Sequence, residues 1–461
     1  MNAVLLLASA LVAGCASLPS LRLARQAAIS ESADPIAFEG PDGRWSLARA
    51  DEASHRIVSA APDSLLDEYL GMSARLIREP LLTGNRVDLL IDGPATHAAM
   101  FDAIRGARRS IDLQSFIFEE VEQAGDRLTD LLAERAAAGV SIRVLVDGVG
   151  SWGADRILTK LTGAGVSTCV FNPVAWSLLR PSRLNHRDHR KIVVVDGGED
   201  AFAGGINFSR VYRSGSSFAS RRARKSIGDG WRDTHVRIRG PGAGRLGELF
   251  QDSWSKQGCA AQNLEAAVDP PDAVTGRAGG TVVQIVPSSP DSEQNLTYLS
   301  VLGAVAFARS SISITMAYFV PDERLEKALI RAARRGVEVR IILPSFSDFS
   351  GVFHAGRSHY QPLLDGGIRL FEQDTAFLHA KTVVVDDIWS TVGSTNWDWR
   401  SFMQNDEVSV VVIDEGFATR MRRMFDDDLA KSTEVTLESW QERSLTDRLL
   451  ERFWSGFERL L

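Results

Sequence analysis

The chain has 461 residues, 44% of them hydrophobic and 24% charged, with a formal net charge of −7. That length holds two domains or one large duplicated one, and the composition is that of a globular protein. The acidic balance removes any general electrostatic pull toward nucleic acid, although a local basic groove stays open. The three cysteines, Cys15, Cys169 and Cys259, have no zinc spacing and no disulfide framework. Cys169 and Cys259 are read as two separate small apolar residues, with a bond between them open only in an oxidising compartment.

The N-terminus is an apolar run over residues 3–13 followed by Gly14 and Cys15. The run is too short to cross a bilayer as a helix and has the length of a signal-peptide core. Val12-Ala13-Gly14-Cys15 is similar to a bacterial lipobox, which makes Cys15 the expected lipidation site, although no Lys or Arg precedes the run. Residues 16–61 show little periodicity and contain Pro35, Pro41 and Gly43, so they read as a tether or loosely packed arm. Leu65, Leu66, Tyr69, Leu70 and Ile77 then recur at helical spacing, which predicts a helix packed on the core.

From there the chain repeats itself. Ala107-Arg108-Arg109-Ser110-Ile111 parallels Ala308-Arg309-Ser310-Ser311-Ile312, each closing a helix and opening a buried strand. Residues 128–138 with Gly139, then Ile142 to Leu145, parallel residues 325–335 with Gly336, then Val339 to Ile342. Both read as helix, glycine cap, strand. The order predicts an α/β fold of two pseudo-symmetric repeats, each a mixed sheet flanked by helices, with the site at their interface. The expected divisions are a leader over 1–15, an arm and helix over 16–80, a first repeat over 81–265, a second over 276–435, and a C-terminal amphipathic helix over 436–461.

Each repeat contains one further stretch, and it carries the chemistry. His189-Arg190-Lys191, four strand-forming residues and Asp196 are matched by His379-Ala380-Lys381, four strand-forming residues and Asp386. A turn of small residues ending in Asn follows each: Gly204-Gly205-Ile206-Asn207 and Gly393-Ser394-Thr395-Asn396. On a strand, residues i and i+2 share a face, so each His and its Lys point the same way. The imidazole serves as nucleophile or proton carrier, the Lys as a fixed cation for a phosphate oxygen, and the Asn amide as a donor to an oxyanion. Gly205 and Ser394 let the backbone approach a ligand. Asp233 and Glu407 open the strands that follow, each beside its repeat's catalytic strand, and either carboxylate can hold an imidazole in one tautomer.

This duplicated pattern resembles the phospholipase D superfamily over most of the chain from residue 81 onward. Thr83-Gly84-Asn85-Arg86-Val87, Trp231-Arg232-Asp233-Thr234-His235, Tyr318-Phe319-Val320-Pro321-Asp322 and Trp399-Arg400-Ser401-Phe402 are similar to its bacterial cardiolipin synthase branch. The resemblance implies transfer of a phosphatidyl group between phospholipids through a phosphohistidine. His189 would be the nucleophile and His379 the acid and base, although the symmetry of the repeats leaves that order open. Lys191, Lys381, Asn207 and Asn396 would stabilise the phosphoryl oxygens, with Asp196 and Asp386 completing the catalytic set. No metal or other cofactor is expected, because the lysines supply the cations. The expected partners are phospholipids and a membrane surface, not nucleic acid, with the protein a monomer in the bacterial envelope, lipid-anchored and facing the periplasm. A phospholipase D hydrolase, a nucleic-acid phosphodiesterase and a non-catalytic lipid-binding envelope protein are the alternatives.

Three surface stretches bear on the membrane. Trp176, Leu178, Leu179, Arg180 and Arg183 suit a membrane interface, and Arg221, Arg222, Arg224 and Lys225 suit anionic headgroups, yet both equally suit solvated loops. In residues 445–461, Leu449, Leu450, Phe453, Trp454, Phe457, Leu460 and Leu461 form one helical face. Arg448, Glu451, Arg452, Glu458 and Arg459 form the other. That helix either docks on the body or lies in a membrane interface.

Overall fold

The computed structural model describes residues 18–29, 35–174, 185–214, 216, 230–259, 278–292 and 294–461. Cys15, the Trp176 and Arg183 stretch, the basic stretch around Arg222, and most of the 260–280 boundary lie outside the described residues.

Among the described residues, seven equivalent strands form the central sheet of each repeat. The first has β1 (Leu81–Ile91), β2 (Ser110–Ser115), β3 (Ser141–Asp147), β4 (Ser167–Phe171), β5 (Ile192–Val195), β6 (Asp200–Gly204) and β7 (Thr234–Arg239). The second has β8 (Thr281–Ser288), β9 (Ser311–Met316), β10 (Glu338–Pro344), β11 (Arg369–Gln373), β12 (Lys381–Val385), β13 (Trp389–Gly393) and β14 (Asn405–Ile413). The sheets have one order, β1-β7-β6-β5-β2-β3-β4 and β8-β14-β13-β12-β9-β10-β11. The last three strands of each run parallel, which requires crossover connections, and helices Leu128–Ala137, Asp155–Gly163, Glu323–Arg334 and the pair Ser350–Ser358 and Tyr360–Asp365 supply them. Gly139 and Gly336 end two of these helices at φ 90° and 96°, the left-handed turn their sequence position predicts.

The Val and Ile run of β5 divides its side chains by alternation. Val193 and Val195 pack under the helices of their own repeat. Ile192 and Val194 enter a core shared with Val384, Val392, Val408 and Val410 of the other repeat. The two sheets therefore face one another through a common apolar layer, and β1 and β8 also pair at their edges. Burial of this layer fixes how the two repeats face each other, and with it the relation of the two His–Lys pairs.

Three expectations need correction. The arm is packed: helices Leu21–Ile29 and Leu47–Ala60 bury Leu21, Ala24, Ala27, Ala50 and Ala53, and Phe38 pairs with Leu81. Alanine is too weakly hydrophobic to mark such faces in the sequence, although Ser46 caps the second helix by accepting from the Arg49 amide. Cys169 and Cys259 are joined in a disulfide across a separation of 90 residues, with Cα atoms 5.8 Å apart. They meet where β4 and the helix Pro241–Lys256 share a cluster with Phe250 and Trp254, a proximity that spacing does not reveal. The chain-entropy account gives such a link roughly 4–5 kcal/mol.

The C-terminal helix, Leu445–Ser455, packs on helix Ser350–Ser358, but with a different face than its apolar pattern suggests. Glu451 is buried, accepting from Arg443 Nε at 2.9 Å and Arg357 Nε at 3.4 Å, whereas Leu449 and Phe453 are exposed. Two arginines from other segments draw the carboxylate inward.

Candidate active site

Arg187 and Asp188 pair in parallel with Asn405 and Asp406 at the start of β14. The His189 N–H donates to the Asp406 carbonyl at 2.9 Å, and the His379 N–H donates to the Arg232 carbonyl at 2.8 Å. Each histidine is thus tied to the segment that opens the last strand of the opposite repeat. The next residue on each of those segments is an acid. Glu407 lies 3.0 Å from His189 Nδ1, and Asp233 lies 2.7 Å from His379 Nδ1. The carboxylates meet the imidazoles crosswise: each acid lies against the other repeat's histidine. Nδ1–H donation to a carboxylate leaves Nε2 of each ring free for chemistry.

Both acids are fully buried. Burial raises Asp233, but His379 and Lys381 outweigh it and the net direction is down. Burial likewise raises Glu407, and His189 and Lys191 outweigh it. Burial pushes the His189 and His379 rings down to about 4, so both are neutral at pH 7. Lys191 is pushed down to about 7 by burial against the pull of Glu407, and Lys381 to about 8 against the pull of Asp233. Each lysine also lowers the opposite repeat's histidine, so the two pairs form one electrostatic unit. Lys191 Nζ donates to the His189 carbonyl at 2.5 Å and Lys381 Nζ donates to that of His379. Among the described residues no group of three His, Cys, Asp or Glu side chains converges on a metal position.

Gly205 and Ser394 support the acids. A Cβ at 205 would lie 2.1 Å from Asp233 Oδ1, so only glycine admits this carboxylate. At the matching position Ser394 Oγ donates to Glu407, and Asn405 Nδ2 donates to the same carboxylate at 3.2 Å. Asn207 Oδ1 accepts from the Ile117 amide at 3.0 Å, while its carbonyl lies 3.1 Å from Nε2 of the buried His97. Asn396 is buried and its Oδ1 has no hydrogen-bond partner.

Several residues of the site escaped sequence reasoning. The Tyr212 hydroxyl lies 3.2 Å from Asp233 Oδ2 and 3.1 Å from His379 Nδ1. Phe116 meets His189 edge-on at 5.0 Å, and Trp231 lies 4.9 Å from His379. Arg190 and Asp406, which alternate with the reactive residues, instead line a separate cavity of about 810 Å³ with Asn185 and His186.

The family described as "Cardiolipin synthase, PLD-like domain" matches residues 100–214 and 302–429, more than half of the chain. The chain belongs to this phospholipase D-like family. It is similar to cardiolipin synthase A of Pseudomonas aeruginosa, 38% identical over 373 residues, which is 80% of this chain and 72% of that one. Cardiolipin synthase 2 of Bacillus anthracis is 33% identical over 377 residues, 81% of this chain and 70% of that one. Among solved structures, phosphatidylserine synthase of Haemophilus influenzae shares the fold, with a TM-score of 0.54 at 13% identity over 81% of this chain and 93% of that one. The matched segments of this phospholipase D-like chain hold both His–Lys pairs and Glu407, whereas Asp233 lies beyond the first of them.

Asp196 and Asp386 close the phospholipase D-like motifs yet stand apart from the histidines. Asp196 is seven residues beyond His189, roughly 20 Å along an extended chain. Its carboxylate accepts from the amides of Arg108, Arg109 and Ser110 at 3.0, 2.6 and 3.1 Å. Asp386 accepts from Arg309, Ser310 and Ser311 in the same way. Each aspartate pins the far end of the catalytic strand to the helix-to-strand turn, which explains why the Ala-Arg-x-Ser-Ile stretch is also duplicated. Asp196→Ala is therefore expected to lower unfolding stability by about 3 kcal/mol. The fraction that remains folded should keep near-normal kcat; loss of kcat without loss of stability in a urea titration would return Asp196 to the reacting set.

Proposed function

We propose that this protein is a phosphatidyltransferase of the cardiolipin synthase type, working through a phosphohistidine. The observation that carries the reading is the crosswise pair of carboxylate-held imidazoles, each with a free Nε2, beside two buried lysines. His189 Nε2 attacks phosphorus as the bond to the leaving alcohol breaks, and His379 gives its proton to the departing oxygen. A bound phosphodiester brings the negative charge that raises His379 and the lysines, so the acid is charged when it is needed. Lys191, Lys381 and the Nδ2 amide of Asn396 donate to the phosphoryl oxygens. A second lipid alcohol then gives its proton to His379 and attacks phosphorus, breaking the P–N bond. Lipid mass spectrometry after incubation with labelled phosphatidylglycerol tests this. Cardiolipin and free glycerol are expected, unchanged by excess chelator because lysines carry the charge; phosphatidic acid alone would mean hydrolysis, and rescue by a divalent ion would refute the metal-free route.

The Cys169–Cys259 bond supports an oxidising compartment, and with the lipobox-like Cys15 it supports an anchored envelope protein with its body in the periplasm. Intact mass of protein extracted from membranes checks both, with a lipidated N-terminal Cys15 and an oxidised cysteine pair expected; an unmodified Met1 refutes the anchor, and free thiols at 169 and 259 refute the compartment.

A further inference from the structure

We infer that the active site is held against an anionic lipid bilayer by two protrusions, one on each repeat: Trp152 on the first and the outer face of the C-terminal helix on the second. The inference rests on the reading that the substrates are phospholipids.

The outer face of the C-terminal segment is sorted by charge. Leu445, Leu449 and Phe453 are 76%, 70% and 56% exposed, at a spacing of four residues that aligns them on one side of the helix, and Phe457 continues the stripe. Arg448, Arg452 and Arg459 are exposed among them. The acidic residues of the same segment are turned inward: Glu451 is buried, Asp447 and Glu458 are half-buried, and Glu458 pairs with His359. The helix face thus presents leucine, phenylalanine and arginine with its own acids at least half-buried, and the exposed Glu442 precedes the helix, on a protein whose net charge is −7. Apolar side chains interleaved with arginines bind an anionic bilayer surface through buried area and charge together. A second copy of this chain fits the face less well, because a twofold interface would set the arginines of one copy against those of the other.

The position of this face connects it to the chemistry. Trp454 and Leu461 pack with Val320, Val352, Tyr318 and Phe349. Tyr318 follows β9, whose last residue, Met316, pairs with Lys381, and the Ala317 amide donates to the Ala380 carbonyl at 3.0 Å. The helix is therefore mounted at the end of the second sheet that carries His379 and Lys381. On the first repeat, Trp152 is 65% exposed in the loop after β3. Its neighbour Ser151 donates to the Phe116 carbonyl at 2.8 Å, and Phe116 is the ring beside His189. The loop after β3 and the region after β10 are equivalent in the two repeats, so the protrusions flank the shared site from its two sides. An indole at that height is the side chain favoured at a membrane–water boundary.

The test uses the full chain, vesicles of phosphatidylglycerol with phosphatidylethanolamine, and dihexanoyl-phosphatidylglycerol as a monomeric substrate. L449S/F453S and W152S are each expected to reduce vesicle co-sedimentation by about tenfold or more. They should leave turnover of the short-chain lipid within about twofold of the parent and the melting temperature unchanged. R448E/R452E should lose binding to anionic vesicles selectively, since it keeps the apolar area. Equal losses on both substrates with a lowered melting temperature would make this helix part of the core and overturn the inference. Unchanged vesicle binding would also overturn it, and a simultaneous shift in oligomeric mass would assign the face to a second copy. Co-sedimentation needs no turnover, so patch-dependent binding by a parent protein that transfers no lipid would sink the proposed activity and leave the docking surface standing.

Discussion

Alanine at position 189 or 379 is expected to reduce turnover by roughly 10⁴-fold or more, because nucleophile and proton carrier are separate side chains and neither substitutes for the other. The fold should survive both changes. Glu407 keeps its bonds from Ser394 and Asn405 when His189 is removed, and Asp233 keeps those from the Tyr212 hydroxyl and the Thr234 amide when His379 is removed. No buried charge is stranded in either case, so the melting temperature should change by only a few degrees. The pair of variants also assigns roles. After a quench with labelled donor lipid, His379→Ala should carry label on His189, because attack still occurs slowly while release does not. His189→Ala should carry none. The opposite pattern would exchange nucleophile and acid, and near-normal turnover in either variant would mean that the repeats do not share one site.

How the histidines are wired was the part that sequence could not supply. The two His–Lys pairs, the strands behind them and the glycine caps all follow from local pattern, since i and i+2 alternation and helix ends are short-range properties. The acids were visible as residues, but their destination depends on the register between repeats. Pairing of Arg187 with Asn405 and of Asp188 with Asp406 carries Glu407 to His189, and nothing within either repeat encodes that register. Symmetry also misled. Tyr212 stands five residues after Asn207, and the matching position after Asn396 is Ser401, so comparing the halves conceals the tyrosine. Gly205 and Ser394 matched as small residues, yet one clears space for a carboxylate and the other donates to one. Amphipathicity of the C-terminal helix was legible, but its inward face was not, because Arg357 and Arg443, which hold Glu451, come from outside the helix.

The crosswise wiring makes a sharper demand than the histidine deletions. Asp233→Asn keeps the shape of the first repeat but should disable the histidine of the second, with a loss of about 10²–10⁴-fold, since an amide no longer fixes the Nδ1–H tautomer. Glu407→Gln should do the same to His189. The pH profile adds a signature that mere loosening would not give. For the parent protein, kcat/KM should rise as the nucleophile His189 loses its proton near pH 4 and fall as Lys191 and Lys381 lose theirs through about 7 and 8. Asp233 is the strongest attraction opposing the burial of Lys381, so its removal lowers that lysine and moves the alkaline limb to lower pH; Glu407 acts likewise on Lys191. Proton NMR then reads the wiring without turnover. A low-field imidazole N–H signal, assigned through single histidine variants, should vanish from His379 in Asp233→Asn and from His189 in Glu407→Gln. If Asp233→Asn removed the His189 signal instead, each repeat would be orienting its own histidine and the interface would have no part in setting the tautomers.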